Sequence, residues 1–314
     1  MTLVLGVDIG GTDIKLGLVT EEGEIRASGK IPTEPARGPE EAAARAAAWL
    51  AEHGRGAGPV VAAGVDCAGL IDGECGFLHT SPNLAGWDDV PLRSLFERAL
   101  GCPVIVENDA NAAAYGEWAR GAGAGMRNFV CLTLGTGVGG GIVLNGALYR
   151  GSSGFAGEIG HTVILAGGPP CTCGNRGCLE AMISAKAIIA RALEMLRSAG
   201  ERRPGWDGAL TVEMLSHAAA AGDAIAVAAL AETGRYLGIG LTNVVHILAP
   251  EAIAVGGGVA GAGDFILDPA RATLRDCVMD EAMASVRIVP AMLGNKASFI
   301  GVSLLALAKA NERP

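Results

Sequence analysis

Four side chains that could bind a metal stand close together in the segment HTVILAGGPPCTCGNRGCLE, residues 161–180. They are one histidine and three cysteines: His161, Cys171, Cys173 and Cys178. One imidazole nitrogen and three thiolates make a complete tetrahedral ligand set for Zn²⁺, with no position left for water or substrate. The short gaps between the cysteines differ from those of a common zinc finger, so we expect a structural zinc that fixes a loop. Buried cysteines without a metal are the alternative.

Three glycine-rich turns could hold phosphate groups. Their sequences are DIGGT (8–12), LGTGVGGG (134–141) and AVGGGVAGAG (254–263). Glycine has no Cβ, so backbone N–H groups in such turns can approach an anion, and threonine adds a hydroxyl donor. The first two turns lie between predicted strands, unlike the helix-opening GxxxxGK[ST] and GxGxxG motifs. One such turn would predict only a hairpin, whereas the three together favour a bound nucleotide.

Two carboxylates stand at the ends of predicted strands. Asp8 stands beside the first glycine turn, where it could hold Mg²⁺ against nucleotide phosphates or form an Asx turn. Asn108 and Asp109 could hold a polyol and accept a hydroxyl proton during phosphoryl transfer, or Asp109 could cap the next helix. Other polar side chains near the cysteines are Glu158, His161 and Glu180.

Apolar runs typical of strands alternate with amphipathic runs typical of helices, which predicts an α/β fold. In the first part of the chain the predicted strands are 3–9, 14–19, 60–66 and 102–109, and the predicted helices are 39–54, 91–101 and 110–121. A second series opens after Gly125 and becomes rich in helices from 184 to about 247.

The two series begin alike. LVLGVDIGGTDIKLGLV (3–19) and FVCLTLGTGVGGGIVLN (129–145) share the order strand, glycine turn, strand. A repeated unit of this kind predicts a duplicated domain, with two unrelated hairpins as the alternative. The segment GAGAG (121–125) supplies the backbone freedom expected of a domain boundary.

Composition excludes several classes of protein. Half of the 314 residues are hydrophobic, which is ample for a folded core. The net charge of −9 argues against a broad nucleic-acid interface. The start lacks a basic region before an apolar run, and no segment has about 18 uninterrupted apolar residues, so we expect a cytoplasmic protein without a membrane span. The five scattered cysteines suit reduced thiols.

Taken together, DIGGT, ENDANAAA, LGTGVGGGIVLNGALYRGSSGFAGEIGH, CTCGNRGCLE and the GGGV loop resemble the ROK family, which unites repressors, open reading frames and sugar kinases. The resemblance covers essentially the whole chain. It implies an actin-like ATPase fold: two duplicated ribonuclease H-like α/β domains with a cleft for ATP and sugar. We expect a small N-terminal domain at 1–120, completed by a C-terminal helix at about 298–314, and a larger domain at 121–297 with the zinc segment.

The resemblance also implies roles for single residues in the ATP-dependent phosphorylation of a hexose at its 6-hydroxyl. Asp109 matches the catalytic base. The implied sugar ligands are Asn83, Asn108, Asp109, Glu158, His161 and Glu180. The implied residues for ATP and Mg²⁺ are Asp8, Gly10, Gly11, Thr12, Lys15, Thr136, Gly137, Gly256, Gly257 and Gly258. The zinc ligands match the four residues named above.

The zinc segment and the sugar site share side chains in this scheme. His161 could bind zinc through one ring nitrogen and face the sugar through the other. Glu180 stands two residues after Cys178, so the metal would fix two sugar ligands at once.

The chain departs from the family pattern in AAGVDCAGLID (62–72), where family members often have a Gly-x-Pro-Gly turn. Ala68 replaces the usual proline, and Asp66 could change which sugar substituent fits. We expect glucose as the substrate, with N-acetylmannosamine, N-acetylglucosamine and fructose as alternatives. ATP is the expected donor, since no long basic track suggests polyphosphate.

Two other classes of protein are alternatives to a kinase. Repressors of the family carry a helix-turn-helix domain before the kinase-like part, whereas DIGGT begins here at residue 8. A sugar-sensing regulator without catalysis, or a glycine-rich zinc scaffold, remains an alternative. The family resemblance suggests a homodimer or homotetramer, and we expect no nucleic-acid or membrane partner.

Overall fold

The computed structural model of the protein describes residues 2–206, 208, 210–283 and 286–312. Its strands are β1 (Leu3–Ile9), β2 (Asp13–Thr20), β3 (Ile25–Pro32), β4 (Val60–Cys67), β5 (Leu70–Asp72), β6 (Phe77–Thr80), β7 (Val104–Asn108), β8 (Phe129–Leu134), β9 (Val138–Leu144), β10 (Ala147–Leu148), β11 (Ala252–Gly256) and β12 (Arg287–Pro290). Its α-helices are α1 (Pro39–His53), α2 (Leu92–Leu100), α3 (Asp109–Arg120), α4 (Leu179–Ile183), α5 (Ala185–Ser198), α6 (Val212–Ala220), α7 (Ala224–Leu248), α8 (Asp264–Cys277), α9 (Asp280–Met283) and α10 (Ala297–Asn311).

Two five-stranded sheets have the same strand order. The first runs β3-β2-β1-β4-β7 and the second β10-β9-β8-β11-β12. In the first, β1 pairs antiparallel with β2 and parallel with β4, and β4 pairs parallel with β7. In the second, β11 pairs parallel with β8 and with β12. The shared order confirms the predicted duplication and the α/β fold.

The chain divides into two compact units. One contains Met1–Arg127, Gly141–Gly157 and Leu293–Pro314, and the other contains Asn128–Gly140 and Glu158–Met292. The segment 141–157 thus belongs to the first unit, whereas the sequence prediction assigned it to the second domain. The domain limits predicted above stay a prediction.

The predicted elements of the first unit form for recognisable reasons. β1 is buried at all seven positions, as its uninterrupted apolar sequence requires of a central strand. β3 at the sheet edge alternates between half-buried and exposed residues. Pro39 occupies the first turn of α1, where its missing N–H costs no hydrogen bond, and Gly54 follows the last turn.

Helix α10 packs on the first sheet at glycine positions. A Cβ on Gly6 would overlap the Phe299 carbonyl, and a Cβ on Gly64 would overlap the Val302 carbonyl. Helix α10 also packs closely on helix α3, because a Cβ on Gly301 of α10 would overlap the backbone of α3. Ten residues of α10 are buried. The glycines therefore let the helix backbone lie directly on β1 and β4.

Helix α7 of the second unit is long and apolar enough to span a membrane by length and composition alone. Half of the apolar window is buried within the structure, however, as in the core helix of many soluble proteins. A Cβ on Gly234 of α7 would overlap the Ile266 carbonyl of α8, so the two helices pack closely. The helix is thus weak evidence for a membrane span.

We expect Gly64→Ala to destabilise the protein by about 1–3 kcal/mol, because the added methyl group must displace the backbone of α10. Gly261→Ala is the matched control, since a Cβ there meets no heavy atom within 4 Å. Urea unfolding of both variants checks the prediction. Equal midpoints for the two would contradict this account of how α10 packs.

Candidate active site

A row of charged side chains crosses the first sheet. Asp8 on β1 is in register with Lys15 on β2 and with Asp66 on β4, and Asp66 is in register with Glu107 on β7. Side chains in register on neighbouring strands project from the same face of a sheet. The row lies near the carboxyl ends of β1, β4 and β7, the edge at which open α/β sheets bind ligands.

Asp8 is buried and ion-paired. Its Oδ2 accepts hydrogen bonds from Lys15 Nζ at 2.7 Å and from Ser298 Oγ at 2.8 Å. Burial acts to lower the pKa of Lys15, but the charge and hydrogen bond of Asp8, with the charges of Asp66 and Asp109, raise the pKa overall. Lys15 therefore stays cationic. An Asx turn needs a hydrogen bond from a backbone N–H to the Asp8 side chain. Within the described residues that side chain accepts only from other side chains, so the Asx-turn alternative is wrong.

Asp66 is fully buried, and neither of its carboxylate oxygens has a hydrogen-bond partner among the described residues. Burial first, and then the charges of Asp8 and Asp109, raise its pKa well above the usual value, while Lys15 acts in the opposite direction. When protonated, Asp66 can donate to the Asp8 carboxylate, which adds to the rise in pKa. Burial and the same acids raise the pKa of the neighbouring Cys67 thiol, which keeps it unreactive.

Asp109 is the first residue of α3, directly after β7. The helix cap is Asn108, whose Oδ1 accepts from the backbone N–H groups of Ala110 at 2.9 Å and Asn111 at 3.1 Å. The alternative that Asp109 caps the helix is therefore wrong. Asp109 is half-buried, its Oδ1 accepts from the Ala110 N–H at 2.9 Å, and a helix N-terminus stabilises its negative charge.

Glu107, the last acid of the row, is neutralised by a residue that the sequence analysis missed. Arg150 Nε and Nη2 each lie 2.7 Å from Glu107 Oε2, and Asn111 Nδ2 donates to Glu107 Oε1 at 3.0 Å. Arg150 lies in the loop after β10, inside the motif segment 134–161, but it is 43 positions from Glu107, so no sequence pattern indicates that the two side chains pair.

The first glycine turn is exposed and lies against Asn83. Gly10 N–H donates to the Asp13 carbonyl at 3.1 Å, which closes the turn, and Gly11 and Thr12 are exposed. A Cβ on Gly11 would lie 3.1 Å from the Asn83 carbonyl oxygen. The structure thus places Asn83 against the turn that could hold phosphate.

In the second unit, Glu180 links the second glycine turn to the cysteine segment. Its Oε2 accepts from Val138 N–H at 2.9 Å, and its Oε1 accepts from Thr172 Oγ1 at 2.8 Å. A Cβ on Gly137 would lie 2.6 Å from Glu180 Oε2, so a side chain at this position would displace the Glu180 carboxylate. Thr136 beside it is exposed.

The third glycine loop lies against the end of β8. Gly257 has a positive φ of 85°, and a Cβ on it would overlap the backbone of Leu134. Gly256 is buried as the last residue of β11, whereas Gly257 and Gly258 are exposed. The second and third glycine loops therefore meet at one end of the second sheet.

The predicted zinc ligands converge. One ligand atom from each of the four residues lies within 4.8 Å of the others. His161 Nδ1 is 3.6 Å from Cys171 Sγ, and the sulfurs of Cys173 and Cys178 are 3.8 Å apart. With Zn–S bonds of about 2.3 Å, tetrahedral geometry requires sulfurs about 3.8 Å apart. The donor set therefore fits zinc.

The two ring nitrogens of His161 face different partners. Nδ1 faces the cysteines, and Nε2 lies 3.9 Å from Glu158 Oε2. Burial, and then the neighbouring thiols, raise the pKa of Cys178 to about 12, so a bound metal would itself have to displace that proton. One imidazole can thus join the metal ligands to a candidate sugar ligand.

The comparisons with known proteins agree with this picture. The ROK family model matches residues 4–309. The glucokinase of Streptomyces coelicolor is 38% identical over 314 residues, which cover 98% of each chain. A solved ROK family glucokinase from Streptomyces griseus, in complex with glucose and AMPPNP, is 37% identical, with a TM-score of 0.83 over 98% of this chain and 99% of that one.

A second solved structure, the ROK hexokinase from Thermus thermophilus, is 33% identical, with a TM-score of 0.83 over 99% of both chains. Both sheets, apart from Leu3 of β1, and all the motifs described above lie inside the matched residues. The chain belongs to the ROK family.

Proposed function

We propose that this protein is a glucokinase, which transfers the γ-phosphoryl group of ATP to the 6-hydroxyl of glucose and releases ADP and glucose 6-phosphate. The observation that carries the proposal is similarity along the whole chain to a glucokinase solved with glucose and an ATP analogue. The carboxylate of Asp109 at the start of α3 supplies the chemistry that such a transfer needs.

Asp109 acts as the base in this proposal. Phosphoryl transfer asks little covalent chemistry of a protein beyond in-line positioning, charge neutralisation and a group that accepts the hydroxyl proton. The cap formed by Asn108 holds the first turn of α3, and with it the Asp109 carboxylate, in place. A Mg²⁺ ion, held with the nucleotide at Asp8, would neutralise phosphate charge.

We assign the sugar hydroxyls to six polar side chains. One N–H of Asn108 Nδ2 donates to the Gly69 carbonyl at 3.3 Å, and the other has no acceptor among the described residues. The assigned sugar ligands are Asn83, Asn108, Asp109, Glu158, His161 and Glu180. The residues assigned to ATP and Mg²⁺ are Asp8, Gly10, Gly11, Thr12, Lys15, Thr136, Gly137, Gly256, Gly257 and Gly258.

Zinc has a structural role in the proposal. It would bind to His161 Nδ1 and the three cysteine sulfurs, and so fix the orientation of the imidazole whose Nε2 faces Glu158. Glu180, two residues beyond Cys178, would be held by the same loop. The metal shapes the sugar site and takes no part in phosphoryl transfer.

The proposal also covers the partners, location, oligomeric state and domains of the enzyme. The acidic net charge of −9 supports a protein without nucleic-acid partners. We propose a cytoplasmic homodimer or homotetramer without a membrane partner, with domains at 1–120 plus about 298–314 and at 121–297.

A coupled ADP-release assay with Mg-ATP tests the function. We expect glucose to exceed N-acetylglucosamine, N-acetylmannosamine, fructose and mannose in kcat/KM. A different preferred sugar would move the assignment to another hexose kinase of the family. If no sugar were phosphorylated while glucose still bound, a non-catalytic sugar sensor would replace the kinase.

Asp109→Asn should lower kcat about 10²–10⁴-fold while glucose binding is largely kept, because the amide cannot accept the proton. Steady-state kinetics and calorimetric glucose titration measure the two effects. Asp276→Asn, an exposed change on α8, is the matched control and should match the wild type. Near-normal turnover by Asp109→Asn would remove this residue from the role of base.

Cys178→Ser should lose the bound zinc, lower the melting temperature and weaken glucose binding about tenfold or more, as loss of well-placed charged hydrogen bonds does. Metal analysis, thermal unfolding and calorimetry measure these effects. Cys277→Ser is the control, since this cysteine is exposed on α8 and lies outside the cluster. A zinc-free variant with unchanged stability and glucose affinity would contradict the structural role.

A further inference from the structure

Asp66, when ionised, carries a charge that no hydrogen-bond donor among the described residues compensates. The residue is fully buried, and both carboxylate oxygens lack a partner in that part of the chain. An ionised carboxylate in such a place is strongly unfavourable unless a proton or a cation neutralises it.

The other charges of the row are already paired. Lys15 is bonded to Asp8 at 2.7 Å, and Arg150 is bonded to Glu107 at 2.7 Å. Asp66 lies between these two pairs on β4, in register with both acids. With Asp66 ionised, the row therefore holds one negative charge in excess, at its centre.

The Oδ1 atom of Asp8 could bind a ligand beside Asp66. Lys15 and Ser298 both bond Oδ2, so Oδ1 has no donor among the described residues. Neighbouring strands lie about 4.8 Å apart, so the two in-register carboxylates stand side by side on one face. Carboxylate oxygens are the ligands that Mg²⁺ and similar hard cations take in proteins.

We propose that Asp66 and Asp8 together bind one divalent cation before any nucleotide is present. The cation neutralises the excess charge and uses the oxygens that no donor occupies. The new element is Asp66, a buried ligand in a segment where this chain departs from the family pattern. A proton on Asp66 is the competing way to remove the charge, and it would leave no cation site.

Titration with Mn²⁺ tests the site in the full chain, first saturated with zinc, without nucleotide or sugar. Free Mn²⁺ is followed by electron paramagnetic resonance. We expect the wild type to bind one Mn²⁺ that Mg²⁺ displaces, and Asp66→Asn to bind it about tenfold or more weakly. Lys15→Met should bind Mn²⁺ more tightly, because it removes the cation that competes for Asp8.

Asp276→Asn is the control and should bind Mn²⁺ like the wild type. The inference is overturned if the wild type binds no Mn²⁺, or if folded Asp66→Asn binds it as tightly. If Asp66→Asn does not fold, Lys15→Met decides the question. The inference is then overturned if Lys15→Met binds Mn²⁺ no more tightly than the wild type. Because neither nucleotide nor sugar is present, failure here leaves the glucokinase proposal to its own assay.

Discussion

The pairing of β1 with β4 in register is the constraint on which the candidate active site depends. It sets Asp8 beside Asp66, and the next pairing sets Asp66 beside Glu107. A slip of one residue would turn each of these side chains to the opposite face. The same pairing sets Gly6 beside Gly64, and the backbone of α10 lies directly on both glycines. One register therefore sets both the surface on which the C-terminal helix packs and the positions of the acids of the row.

Charge pairing then decides what each acid can do. Glu107 is neutralised by Arg150, and Asp8 by Lys15 with help from Ser298. Asp109 is the first residue of a helix, whose N-terminus favours the ionised form of its carboxylate. In the second unit Glu180 plays a different part, since its two oxygens join a glycine turn to the cysteine segment.

Much of this could be predicted from sequence because the signals are local. The strands and helices of the first unit follow apolar periodicity and turn residues, and the cysteine spacing predicted a cluster that the structure brings together. The repeated strand–turn–strand motif predicted two sheets of like order. The alternative that Asp109 caps α3 named the wrong neighbour, because Asn108 and Asp109 are both good cap residues and only the backbone geometry distinguishes them.

What sequence could not predict was long-range. Ser298 lies 290 positions from Asp8, and no pattern in either segment indicates the other. The lack of a partner for the buried Asp66 carboxylate, within the described residues, emerges only once the strand register and the partners of its neighbours are known. The most direct test of the account is a crystal structure of this protein with glucose and AMPPNP. The account predicts an Asp109 carboxylate oxygen about 2.6–3.2 Å from the glucose 6-hydroxyl; a 6-hydroxyl bound to other side chains and out of reach of Asp109 would contradict it.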